Sequence, residues 1–144
     1  MNKFDEYQRL QRYKFGYYAM LLTVILNIIN FFVVELYGFQ WAETPRIEPL
    51  IIILIVTVFF TISLVYSGAY FAKRESVLVL GIVFLLTGGV SIRTALLFPL
   101  FENGQVTMWM TNFIVGINFL AIPATYLVRI SVDKLRDVKE KKEA

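Results

Sequence analysis

Four apolar runs alternate with short polar gaps along the chain, and each run is long enough, at about 1.5 Å of helical rise per residue, to cross a hydrocarbon core of about 30 Å. The pattern predicts spans over 15–37, 49–71, 76–100 and 106–130, with polar ends at 1–14 and 131–144. The expected fold is an all-α integral membrane protein in one domain, an antiparallel four-helix transmembrane bundle with up-down-up-down order. The first apolar run, about 23 residues, is longer than the core of a signal peptide and predicts an uncleaved first span.

The gaps constrain the packing. Lys73, Arg74 and Glu75 separate spans two and three, and Glu102, Asn103 and Gly104 separate spans three and four. Connections this short predict that spans two, three and four form a compact antiparallel unit of sequential neighbours, with span one freer. Asn103 and Gly104 suit a turn with positive φ. Pro49 suits the first turn of span two, and Pro123 should kink span four because it cannot donate to the carbonyl of Phe119. Beyond Arg129 the spacing of Val132, Leu135 and Val138 carries a helical pattern onward, with Asp137 four residues before Lys141.

Small residues fall in stripes. Gly81, Gly88, Ser91 and Ala95 share a face of span three, and Asn112, Gly116 and Pro123 share one of span four; such faces let helices approach closely. Arg93 projects from nearly the opposite side of span three.

Composition sharpens the class. With 58% hydrophobic and 16% aromatic residues in 144, the chain is too apolar and too small for a soluble core. Cysteine and histidine are absent, which excludes disulfides, thiolate metal sites and imidazole chemistry. No nucleotide-binding glycine loop or metalloprotease pattern occurs, and Ser63, Ser67 and Ser91 have no evident activating base. The expectation is a non-enzyme without cofactor or metal, embedded in lipid and without nucleic acid as partner.

Charge sets the orientation. Of the 14 Lys and Arg residues, twelve lie before span one, in the 73–75 gap or from Arg129 onward; Arg46 stands alone on the other side, and Arg93 lies within span three. The positive-inside bias predicts that both termini are cytoplasmic.

Two ionisable residues fall inside apolar runs. Glu35 lies about 30 Å from the inner end of span one and Arg93 about 25 Å from that of span three, so both sit near the outer boundary. They are candidates for an intramembrane charge pair. Independent snorkelling to headgroups and contact with a substrate or ion are the competing readings, and Glu48 and Glu102 compete as partners for Arg93. Asn27, Asn30 and Asn118 are candidates for polar interhelical contacts, each worth about 1 kcal/mol.

The run Phe4-Asp5-Glu6-Tyr7-Gln8 before the first span, the stretch Trp41-Ala42-Glu43-Thr44-Pro45 and the four-span plan resemble small bacterial membrane proteins known only as a domain of unknown function. That resemblance implies a bacterial plasma membrane and transfers no activity or functional residue. The expected function is a non-catalytic accessory or regulatory subunit of a membrane complex, with a membrane-protein partner or as a homo-oligomer. The alternative is a small transporter of the four-helix multidrug-efflux type, which also places a glutamate in its first span.

Overall fold

The computed structural model describes residues 4–72 and 75–143, with side chains as far as Arg136. Lys73 and Arg74 lie outside the described residues, and the Asp137–Lys141 spacing outside the described side chains. Four helices account for most of the chain: α1 (Glu6–Tyr37), α2 (Ile47–Tyr66), α3 (Val77–Ala95) and α4 (Trp109–Glu143). All four contain stretches long and apolar enough to cross a membrane.

The helix limits follow from local chemistry. Asp5 caps α1: its carboxylate accepts from the Gln8 backbone N–H at 2.8 Å while Gln8 Oε1 accepts from the Asp5 N–H at 3.3 Å, a reciprocal capping box. The polar N-terminal run therefore joins the first span as one continuous helix. Gly38, at φ +61°, ends it by donating to the Val34 carbonyl. Helix α2 stops at Tyr66, earlier than the hydrophobic run suggests, because the chain turns through Gly68 at φ +75°. Helix α3 likewise stops at Ala95 instead of reaching Leu100.

Between α3 and α4 the chain forms a small hairpin. Strand β1 (Phe101–Glu102) pairs antiparallel with β2 (Gln105–Val106). Asn103 and Gly104 form its turn at φ +51° and +79°, the paired positive values favoured in two-residue hairpins. The 41–43 segment adds to the other edge of β2: Val106 N–H donates to Trp41 O at 2.9 Å and Glu43 N–H to Val106 O at 2.8 Å. These segments cap one end of the helices; both helix-bearing ends of the chain, Glu6 and Glu143, belong to the opposite end.

The packing order departs from the sequence expectation. Helix α4 packs on both α2 and α3, while α1 packs on α2, giving the order α1, α2, α4, α3. Spans two and three are thus not the neighbours that the Lys73–Glu75 gap predicted. The reason is the early end of α2: the connection runs from Ser67 to Ser76, long enough to pass a helix about 10 Å wide. The row does not close, since α1 and α3 share no substantial packing.

The α3–α4 seam uses the small-residue faces. A Cβ on Gly116 would lie 3.0 Å from the Gly88 carbonyl oxygen and 3.0 Å from the Ile92 nitrogen, and one on Gly88 would meet Leu120 at 2.8 Å. Glycine at both positions is what brings the backbones together. Phe84 and Phe119 stack beside this crossing with centroids 5.9 Å apart. Helix α4 continues unbroken through Pro123. Helix α2 is the most enclosed, burying Ile51, Val56, Thr61, Leu64 and Val65 besides Glu48, whereas α1 buries no residue.

Candidate functional site

Glu48 stands in the first turn of α2 with only 1% of its surface exposed. It is the one fully buried charged side chain among the described residues. A carboxylate in such a place requires donors, because removal from water is costly unless each oxygen is paired. Glu48 Oε1 accepts from the Trp41 N–H at 2.9 Å and the Ala42 N–H at 3.4 Å. Oε2 accepts from Asn30 Nδ2 at 2.9 Å. Asn30 Oδ1 in turn accepts from the Trp41 indole N–H at 2.6 Å.

This network joins three segments. Asn30 comes from α1, Glu48 from α2 and Trp41 from the connection between them, which itself pairs with β2. The carboxylate lies at a helix N-terminus, where the peptide dipoles favour negative charge. Among the described residues no cation forms an ion pair with it; the ion pair formed among them joins Arg129 to Asp133 at 3.7 Å, at the other end. A cleft of about 300 Å³ opens beside Glu48, lined by Asn27, Asn30, Phe31, Val34, Pro45 and Pro49. Chemically it presents one carboxylate and two carboxamides to an otherwise apolar wall, a setting suited to a cation or a hydrogen-bonding group. Among the described residues no three acidic side chains converge to hold a metal ion.

The other end of α2 has the opposite polarity. Arg12 donates to the carbonyls of Ala69 and Tyr70, both at 2.7 Å, and Gln8 Nε2 donates to those of Gly68 and Phe71 at 2.9 and 3.2 Å. Arg129 lies against Gly68, where any Cβ would collide with its guanidinium. Burial pushes the Tyr70 phenol above its ordinary pKa, while the Arg12 charge pulls it down and Glu75 adds to the rise.

The structure does not bring Glu35 and Arg93 together. Both side chains are exposed, and they stand on α1 and α3, the two edges of the row, which do not pack on each other. Of the three asparagines, Asn30 makes the interhelical contact expected of it. Asn27 instead donates to the Thr23 carbonyl of its own helix at 2.8 Å, and the buried Asn118 Oδ1 has no hydrogen-bond partner among the described residues.

In the sequence Glu48 stands out only as a rival partner for Arg93, and Trp41 only as part of the Trp41–Pro45 stretch. A usable signal was present: an acid in the first turn of a strongly apolar helix, immediately before Pro49, is placed where unpaired N–H groups and the helix dipole both favour a carboxylate. Compared with protein-family models, curated proteins and solved structures, the chain matches none of them.

Proposed function

We propose that the protein spans a bacterial plasma membrane four times with both termini in the cytoplasm, and serves there as a non-catalytic accessory or regulatory subunit of a membrane complex. One observation carries this reading: Glu35 and Arg93, ionisable groups within apolar segments, face outward from the two edge helices and have no partner among the described residues. Charges within spans ordinarily meet a partner or an aqueous cavity. Here a complementary group on another membrane helix fills that role. The exposed face of α1 beside Glu35 carries Ile25, Ile28 and Phe32, an i, i+3, i+7 pattern suited to a second helix.

The test is site-specific photo-crosslinking in cells, with the reactive residue at Ile28 and, as an internal control, at Ile114. A defined polypeptide adduct from Ile28 alone, lost in the Glu35→Gln variant, supports the reading. Adducts to lipid alone from Ile28 would overturn it.

A second reading, the small transporter, draws on the cleft beside Glu48 and its two asparagines. It requires that Glu48→Gln abolish transport of a cationic compound while the folded protein survives.

A further inference from the structure

At the end opposite the hairpin, a cleft of about 320 Å³ lies between the start of α1, the end of α2 and the later part of α4. Tyr7, Tyr66, Ser67, Arg129, Asp133 and Arg136 line it. Arg129 and Arg136 are seven residues apart, two turns along one face of α4. Their situations differ. The Arg129 guanidinium is held against Gly68, whose φ of +75° and missing side chain leave it room, so its position is set by the backbone turn. Arg136 is exposed and forms no ion pair among the described residues.

Asp133 balances this only in part. It lies 3.7 Å from Arg129 Nε and is more than half exposed, so solvent screens the pair, and two guanidinium groups face one carboxylate. Tyr7 and Tyr66 add hydroxyl groups at the rim, both about half exposed. Guanidinium groups offer planar forks of N–H donors that match phosphate oxygens, and phenol O–H groups supply further donors. The cleft is also large enough for a phosphate and its substituents.

We propose that this cleft binds a phosphate group, carried either by the headgroup of an anionic phospholipid or by a small soluble phosphate ester. The lipid source follows if this end is cytoplasmic, since anionic headgroups concentrate on that leaflet; the chemistry of the cleft is the same for both. The site does not depend on the accessory-subunit reading, because neither Glu35 nor Arg93 contributes to it.

Native mass spectrometry of the full chain released from nanodiscs tests the proposal. Discs of phosphatidylglycerol mixed with phosphatidylcholine are compared with discs of phosphatidylcholine alone, each with and without millimolar glycerol phosphate. Retained phosphatidylglycerol identifies the lipid as source; glycerol phosphate bound equally in both disc types, with no retained phosphatidylglycerol, identifies the soluble ester. Arg129→Gln and Arg136→Gln should each weaken retention about fivefold, the effect of about 1 kcal/mol per arginine near an anionic surface. Arg136 is exposed and forms no ion pair among the described residues, so Arg136→Gln remains informative if Arg129→Gln unfolds the protein. Lys134→Gln is the control for general surface charge and should leave retention unchanged. Retention of neither ligand, or a loss in Lys134→Gln equal to that in Arg136→Gln, would overturn the site.

Discussion

The two ends of α2 solve one problem with opposite charges. At its N-terminus a buried carboxylate, Glu48, gathers N–H donors from Trp41, Ala42 and Asn30. Past its C-terminus a cation and an amide, Arg12 and Gln8, donate to four carbonyls between Gly68 and Phe71. Each sign agrees with the helix dipole. In both places an α1 side chain supplies part of the bond, so α1, which buries no residue of its own, is tied to α2 at its two ends by polar contacts. The ends differ in access to water: Glu48 is enclosed, whereas Arg12 is only partly buried. Solvent can replace lost contacts at one end and not at the other.

The largest effect should therefore come from Glu48→Ala, which strands the Trp41 N–H and the Asn30 amide together. At about 1 to 3 kcal/mol for each buried donor left unpaired, a loss near 3 kcal/mol is expected in detergent unfolding, with quenching or shift of Trp41 fluorescence. A loss below about 1 kcal/mol would mean that water reaches this end as well, and the contrast between the ends would collapse.

Gly116→Ala probes the α3–α4 seam, remote from both networks. The added Cβ meets backbone at 3.0 Å, so about 2 kcal/mol of overpacking cost is expected. Hydrogen exchange should accelerate along α3 and α4 while the amides of Trp41 and Ala42 stay protected. If those amides opened too, the two regions would be one cooperative unit and not separable.

Arg12→Met removes the donors at the wetter end. About 1.5 kcal/mol is expected, at the low end for hydrogen bonds from a charged group because solvent can reach the freed carbonyls. Faster proteolysis within residues 67–72 should accompany it. A cost equal to that of Glu48→Ala would show that exposure does not separate the ends.

The smallest effect belongs to Asn118→Leu. Its buried Oδ1 accepts no hydrogen bond from the described residues, so an apolar side chain of similar size should be neutral or stabilise by up to about 1 kcal/mol. Clear destabilisation would reveal a partner supplied from outside the chain.

How much of this was legible in the sequence depends on the range of the forces involved. Hydrophobic runs, the turn at Asn103 and Gly104 and the close-packing glycines Gly88 and Gly116 are local signals, and the structure follows them. Helix order was not legible, because hydropathy continued past Tyr66 to Phe71 and concealed where α2 ends; the shortened apparent loop then implied the wrong neighbours. Glu48 was overlooked for a related reason. Its partners are backbone N–H groups of Trp41 and Ala42, which every sequence carries and no sequence pattern marks. Glu35 and Arg93 drew attention through their depth in apolar runs, yet depth along a helix does not say which side of the row a residue faces.

On the proposed reading, two glutamates near the same end divide the labour: Glu48 holds the fold, and Glu35 meets a partner. The most direct measurement takes Glu48→Gln and Glu35→Gln side by side, recording the detergent melting temperature and the yield of the Ile28 crosslink for each. The account predicts that Glu48→Gln lowers the melting temperature by several degrees, and that Glu35→Gln leaves it unchanged while removing the crosslink. A lowered melting temperature in Glu35→Gln with none in Glu48→Gln would contradict it.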